Sequence, residues 1–155
     1  MTIMKTKNKD IFLISGTQNS GKTNTISLLY QRLSKQIPQH TFNGNPVNSN
    51  QINYPTNDDF VAIFKLKNGI TVGMISAGDY LSVFKECFDT IKLSIDVLIC
   101  TSRTKNTDSS VYNFIVEQIQ SEGFELKLNF STFPTENKTQ MQDNIVNIIL
   151  KYLNH

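Results

Sequence analysis

Residues 16–23 read Gly-Thr-Gln-Asn-Ser-Gly-Lys-Thr and match the phosphate-binding loop pattern G-x-x-x-x-G-K-[ST], also called Walker A. A loop of this kind joins a buried strand to a helix, so it constrains the fold on both of its sides. Residues 10–15 form a short, mostly apolar run that ends on the loop, as expected of a buried parallel strand. After the loop, apolar residues recur at helical spacing: Ile26, Leu29, Leu33 and Ile37. Residues 10–37 therefore predict a strand–loop–helix unit.

The residue types of this loop suit the binding of a nucleoside triphosphate. Gly16 and Gly21 allow the backbone to bend so that its N–H groups point inward and form an anion-binding nest. Lys22 would reach the β- and γ-phosphates, and the Thr23 hydroxyl would ligate the magnesium ion that bridges them. The first turn of the helix adds free N–H donors. We therefore predict that nucleotide contacts come from the loop and the turn after it: Gly16, Thr17, Gln18, Asn19, Ser20, Gly21, Lys22, Thr23 and Thr25.

The composition predicts one globular domain over residues 1–155. Hydrophobic residues make up 39% of the chain and charged residues 18%, which is typical of a chain that buries a full core. The formal charge of +2 and the absence of a Lys/Arg cluster do not predict a nucleic-acid partner. We interpret Lys5, Lys7 and Lys9 as a solvated basic arm.

Cysteine usage and hydropathy predict a cytoplasmic protein. Cys87 and Cys100 lie in apolar surroundings, which suits a reducing compartment. The polar N-terminal residues and the short apolar run after them do not form a signal peptide, and no run approaches the length of a membrane span. We therefore expect no membrane partner.

The middle of the chain contains a long polar stretch followed by a hairpin signal. Residues 38–59 show little apolar periodicity and are predicted to form a long loop. This loop would cover the nucleotide, carry a substrate site or be a plain surface insertion. Residues 60–66 and 70–76 are strand-like, and Asn68-Gly69 between them predicts a type I′ turn. Since so short a loop joins only antiparallel strands, one strand should run against the others.

Helices and strands alternate in the second half of the chain. Residues 96–100 and 124–130 are strand-like. Apolar residues mark three helices at helical spacing: Leu81, Phe84, Phe88 and Ile91; then Val111, Phe114, Ile115 and Ile119; then Met141, Ile145, Ile148, Ile149 and Tyr152. The alternation predicts a three-layer α/β fold with a mostly parallel sheet of about five strands, one of them antiparallel, and helices on both faces.

The residues that follow the strands are the candidates for chemistry, because the ligand of a parallel sheet lies beyond the carboxyl ends of its strands. A magnesium ion needs a carboxylate there, since it retains several waters and takes few protein ligands. Asp79, which follows the strand that ends at Ile75, is the first candidate. Capping of the next helix is its alternative role. Asp58 and Asp59, at the end of the polar stretch, are the competing candidates.

Arg103 follows the strand of residues 96–100 and is the second candidate outside the loop. Its guanidinium would neutralise charge on the phosphates in the transition state, as an arginine finger does. Stacking on the nucleotide base is a second possible role. An ordinary surface arginine on a polar loop is the third, and the sequence leaves all three open.

The loop motif and the order of strands and helices resemble the P-loop NTPase superfamily over most of the chain. Within it, the hairpin and residues 75–78 look like the strands that lead into the Asp-x-x-Gly switch of small GTPases, which implies that the Gly78 N–H contacts the γ-phosphate. Ile75 stands where that family has Asp, and residues 97–104 lack its guanine-reading Asn-Lys-x-Asp motif. The resemblance therefore implies a small ATPase-like member that uses magnesium and ATP, with GTP less favoured.

The predicted function is magnesium-dependent binding and hydrolysis of a nucleoside triphosphate. Lys22, Asp79 and Arg103 are the predicted catalytic residues, and Thr23 and Asp79 the predicted metal ligands. One alternative is a small-molecule or nucleotide kinase that uses the same phosphate loop, with an acceptor pocket in residues 38–59. The other is a non-catalytic nucleotide-binding regulatory module. A homo-oligomer or a protein partner that completes the site also stays open.

Overall fold

Strands and helices alternate along the residues that the computed structural model describes, which are 9–17, 20–53, 58–104 and 110–154. The predicted nucleotide contacts of Gln18 and Asn19 lie outside these residues. The elements in chain order are β1 (Lys9–Gly16), α1 (Lys22–Gln36), β2 (His40–Phe42), β3 (Asn45–Val47), β4 (Val61–Lys65), β5 (Thr71–Ile75), α2 (Leu81–Ile91), β6 (Val97–Ser102), α3 (Val111–Asn113), β7 (Phe124–Thr132) and α4 (Lys138–Leu153). A π-helical turn (Phe114–Gln118) and a 3₁₀ turn (Ile119–Glu122) continue α3, and we call residues 111–122 the α3 segment.

The strands form one mixed sheet in the order β3-β2-β4-β5-β6-β1-β7. β5, β6, β1 and β7 pair in parallel, whereas the pairs β4–β5, β2–β4 and β2–β3 are antiparallel. The α/β class is confirmed, but the prediction of about five strands with one antiparallel member is wrong. Within the described part of the chain the sheet has seven strands, and both β3 and β4 run against the others.

The two additional strands lie in the polar stretch that we predicted to be a loop. Asn43 and Gly44 join β2 to β3 with φ angles of 48° and 83°. A two-residue loop with positive φ at both positions is a type I′ turn. The prediction was wrong for residues 40–47 because strands of three residues, one of them holding Pro46 at the sheet edge, are too short and too polar to show alternation.

The second hairpin lies where Asn68-Gly69 predicted it, between β4 and β5, but its turn differs. The Leu66 N–H donates to the Ile70 carbonyl at 2.8 Å, so the loop has three residues. Gly69 has a φ of 89°, whereas Asn68 is not left-handed. The Asn68 side chain explains the difference, since it accepts from the Ile70 N–H and donates to the Leu153 carbonyl at the end of α4.

Two helices cover each face of the sheet. Neighbouring residues of β1 point to opposite faces, and residues 11–16 are all buried because both faces are covered. The core with α1 and α4 contains Phe12, Ile14, Ile26, Leu29, Leu33, Met74, Ile145 and Ile149. The core with α2 and the α3 segment contains Ile11, Leu13, Phe84, Phe88, Leu98, Cys100, Phe114 and Ile115. No helix in the described ranges is long and apolar enough to cross a membrane.

Candidate functional site

The loop between β1 and α1 has the glycines that its geometry requires. A Cβ at Gly16 would collide with the side chains of Ser20 and Thr132. Gly21 directly precedes α1 and has a φ of 97°. Residues other than glycine rarely adopt this left-handed conformation. The Ser20 N–H donates to the Thr17 carbonyl at 3.1 Å, which tightens the bend. Gly16 is therefore required by close approach and Gly21 by its positive φ, whereas the anion-binding nest predicted for them stays a prediction.

Side chains from β7 and α4 hold the loop from the other side. The Thr132 hydroxyl donates to the Ser15 carbonyl at 3.1 Å. Because a hydroxyl has one proton, Ser20 Oγ must then be the donor in its 2.7 Å contact with Thr132 Oγ1. On α4, the buried Gln142 side chain lies beside Gly21. These polar contacts were missed, since nothing in the sequence distinguishes an inward-facing Thr or Gln from a surface one.

The first turn of α1 presents N–H groups without acceptors. The N–H groups of Lys22, Thr23 and Asn24 make no hydrogen bond with a described residue, and α1 has neither a side-chain cap nor an acidic residue in its first turn. The N–H and hydroxyl of the buried Thr25 both donate to the Gly21 carbonyl, at 2.9 and 2.7 Å. The Thr25 N–H thus makes the first backbone hydrogen bond of α1, and the nucleotide contact of Thr25 stays a prediction. The open donors and the helix dipole favour an anion here.

Two side-chain oxygens in this turn also lack partners. The Asn24 Oδ1 atom is buried and accepts no hydrogen bond from the described part of the chain. The half-buried Thr23 hydroxyl has no hydrogen-bond partner among the described residues. A buried acceptor without a donor is costly, so a ligand or an ion with bound water would satisfy the turn. Asn24 is a candidate that the loop pattern did not single out.

The three predicted catalytic side chains lie in contact. Lys22 Nζ is 3.3 Å from Asp79 Oδ1, and Arg103 Nε donates to the same oxygen at 3.0 Å. The Lys22 side chain is only 8% exposed, whereas those of Asp79 and Arg103 are 39% and 43% exposed. Asp79 Oδ2 has no hydrogen bond or ion pair with a described residue. The residues after β1, β5 and β6 therefore form one charged cluster, which we call the Lys22–Asp79–Arg103 cluster.

The surroundings keep Asp79 ionised. Burial alone would raise its pKa, but the hydrogen bond from Arg103 and the charge of Lys22 outweigh burial and lower the pKa. Asp59 behaves differently, since burial and then the charge of Asp79 raise its pKa despite the opposing charge of Lys22. Asp59 therefore lies within electrostatic range of the Lys22–Asp79–Arg103 cluster. Asp58, whose side chain is exposed, adds to the rise in the pKa of Asp59.

The chain between β5 and Asp79 has a structural role. Ile75 is fully buried in the core beside α2, so an acid at this position would lie among apolar side chains. Ser76 Oγ accepts from the Phe60 N–H at 2.6 Å and so anchors the start of β4. The Gly78 N–H donates to the Ser76 carbonyl at 3.0 Å, and a Cβ at Gly78 would collide with the Thr101 carbonyl. The predicted contact of Gly78 with a γ-phosphate stays a prediction.

Asp79 does not cap α2. The N-cap residue of α2 is Tyr80, and no side chain caps this helix. The alternative role that we considered for Asp79 is therefore not seen, and its hydrogen bonds and ion pairs within the described residues are those with Lys22 and Arg103.

A cleft of about 620 Å³ opens beside the cluster, between the start of α2 and the α3 segment. Asp79 and Arg103 belong to its wall, whereas the described loop residues 16–17 and 20–23 do not line it. The cleft therefore lies on the side of the sheet that carries α2, away from α1. The sequence did not predict this cleft, because the helical spacing of the apolar residues in α2 identified only the buried face of that helix.

No three His, Cys, Asp or Glu side chains are grouped as a metal site within the described residues. Comparison with protein-family models, curated proteins and solved structures found no match to this chain. The geometry of the loop and of the Lys22–Asp79–Arg103 cluster is therefore what indicates a function.

Proposed function

We propose that this protein belongs to the P-loop NTPase superfamily and that it binds and hydrolyses a magnesium nucleoside triphosphate, ATP in preference to GTP. The observation that carries the proposal is the Lys22–Asp79–Arg103 cluster at the start of α1. It places two cations and one ionised carboxylate beside a helix start whose N–H groups are open. This combination matches the charge and the oxygen atoms of a triphosphate.

The phosphates would bind the N–H groups of the first turn of α1 and the ammonium group of Lys22. In the structure Asp79 Oδ1 neutralises that ammonium group at 3.3 Å. A phosphate oxygen would take this place, so the carboxylate marks the position of a negative charge beside Lys22. Arg103 reaches the same oxygen of Asp79 and would then contact the transferred phosphoryl group, where it stabilises charge in the transition state.

The residues around the loop suit a magnesium ion, because such an ion takes few protein ligands and does not require a cluster of three acids. Thr23 and Asp79 would hold the ion, through the Thr23 hydroxyl and the Oδ2 atom of an ionised carboxylate, neither of which has a partner in the described ranges. The buried Asn24 Oδ1 would accept from a water on the ion. When bound, the ion would neutralise charge on the β- and γ-phosphates.

The two strands of the polar stretch are a poor place for a kinase acceptor pocket. Its strands β2 and β3 form the edge of the sheet, and β4, β5 and β6 separate them from β1. The cleft beside Asp79 and Arg103 is the observation that favours a kinase as the second candidate function, because a molecule bound there would lie next to the cluster.

A thermal-shift panel with ATP, GTP, ADP and GDP, with and without magnesium, tests the proposal. Ligand at about a thousand times its Kd adds roughly 4 kcal/mol to the free energy of unfolding and raises the Tm by on the order of 10 °C. Lys22→Ala should abolish the shift. Lys35→Ala, which removes an exposed lysine from the last turn of α1, is the matched control and should keep it.

Phosphate release then separates the candidate reactions. Release of inorganic phosphate in buffer alone supports hydrolysis, and turnover only after addition of an acceptor supports a kinase. Binding without turnover in either condition would identify a regulatory module. An unchanged Tm with every nucleotide, in the wild type and in Lys22→Ala, would refute the proposal.

A further inference from the structure

The cleft between α2 and the α3 segment carries more positive than negative charge. Its lining contains two cations, Lys85 and Arg103, and one carboxylate, Asp79. Asp79 is already shared between Lys22 and Arg103, both of which contact its Oδ1 atom. Among its described lining residues, the cleft therefore keeps one positive charge that no carboxylate balances.

Lys85 is the source of that charge. It is exposed on α2, and it forms no ion pair with any residue in the described ranges. Its ammonium group lies 5.0 Å from the centre of the Phe114 ring. A cation–π contact of this kind orients the group without neutralising it. Lys85 is thus held at the cleft by the α3 segment and remains available to an anion.

The rest of the lining suits an organic molecule with a polar group. Leu81 and Val111 supply aliphatic surface, and Tyr80, which is 69% exposed, supplies an aromatic ring. Ser82 and Ser110 add hydroxyl groups to the same cleft. A cation, hydroxyl donors and an apolar wall in one concave site are the features of a small-molecule pocket.

We propose that this cleft is a second binding site, for a small organic anion whose carboxylate or phosphate group binds Lys85 and Arg103 and whose apolar body packs against Tyr80 and Val111. The site is separate from the phosphate loop, since the described residues of that loop do not line it. The proposal does not require nucleotide binding. The two sites share Asp79 and Arg103, so occupancy of one changes the charge that the other presents.

The test is a titration of ¹⁵N-labelled protein followed by NMR, carried out in Lys22→Ala so that the phosphate loop cannot account for binding. The probes are phenyl phosphate, benzoate and the neutral benzamide. We expect the two anions to shift the amide signals of Tyr80, Lys85 and Val111, and benzamide to bind at least tenfold more weakly. The stronger of the two anions identifies the charged group that the site prefers.

Two variants locate the binding. Lys85→Ala should weaken the anions roughly tenfold, and Lys127→Ala, which removes an exposed lysine from β7, should leave them unchanged. Equal binding of benzamide and benzoate, unchanged affinity in Lys85→Ala, or no shift with any probe would overturn the proposal. The nucleotide panel on Lys85→Ala is a separate readout, in which a retained Tm shift shows that the phosphate loop is intact.

Discussion

Asp79→Asn tests the charged cluster most directly, because it removes a negative charge and keeps the number of non-hydrogen atoms in the side chain. In the wild type Lys22 Nζ and Asp79 Oδ1 are 3.3 Å apart. At an effective dielectric constant of about 20, two unit charges at this distance attract each other by about 5 kcal/mol. Asp79 is 39% exposed, so solvent screening and desolvation reduce the net contribution to about 1 kcal/mol.

The first consequence concerns stability and its dependence on pH. Asp79→Asn should lower the free energy of unfolding by about 1 kcal/mol at pH 7. The folded pKa of Asp79 is lowered, so its contribution is present above the unfolded value near 4 and is lost as the pH falls through the folded pKa. The difference between wild type and variant, measured by urea unfolding, should therefore shrink below about pH 4.

The second consequence concerns the nucleotide. Without magnesium, a phosphate competes with Asp79 for Lys22, so Asp79→Asn should bind ADP about fivefold more tightly, the equivalent of about 1 kcal/mol. With magnesium, loss of the carboxylate should lower turnover of ATP roughly a hundredfold. The opposite directions of the two effects distinguish this variant from one that is merely unfolded.

The control for this experiment is Asp89→Asn, which removes an exposed carboxylate of α2 that pairs with Lys92 just after the helix. It should leave both ADP affinity and turnover unchanged. Tighter ADP binding with unchanged turnover in Asp79→Asn would transfer the metal role to Asp59. If Asp79→Asn altered neither quantity in a protein that binds nucleotide, the reasoning from the cluster would be refuted.

Two further predictions concern the parts that position the site. Gly78→Ala would place a Cβ against the Thr101 carbonyl. The free energy of unfolding, measured in urea, should therefore fall by about 1–3 kcal/mol. A fall of less than about 0.5 kcal/mol would show that the ends of β5 and β6 separate easily. Tyr152→Phe removes the hydrogen bond from the Tyr152 hydroxyl to Asp10, at a cost of about 1 kcal/mol. That bond raises the pKa of Tyr152 to about 12, so the variant should also lose one phenol that ionises near pH 12 in an ultraviolet titration.

The elements that bury apolar stripes were predictable from the sequence. α2 begins and ends at Leu81 and Ile91, the first and last residues of the predicted stripe, because its buried face carries nearly all of its large apolar residues. β6 extends over Val97–Ser102 and starts one residue later than predicted. β2 and β3 were missed because neither strand is apolar, although Asn43-Gly44 is the same turn signal that predicted the hairpin of β4 and β5.

The site was predictable as a set of positions but not as a set of contacts. The sequence placed Lys22, Asp79 and Arg103 after three strands, and the carboxyl ends of parallel strands share an edge. The order β5-β6-β1 decides which of them meet, and spacing along the chain does not contain that order. The contact of Ser20 with Thr132 depends on β7 in the same way.

The strand order also explains why the cluster needs a lysine on one side and a glycine on the other. β6 lies between β1 and β5, so the ends of those two strands are about 10 Å apart. Lys22 crosses much of that gap with its long side chain to reach Asp79. On the other side Gly78 lies so close to the end of β6 that a Cβ would meet the Thr101 carbonyl, and this close approach brings Asp79 within 3.0 Å of Arg103 Nε. A cationic side chain shorter than lysine at position 22 would not reach the Asp79 carboxylate. A residue larger than glycine at position 78 would move that carboxylate away from both cations.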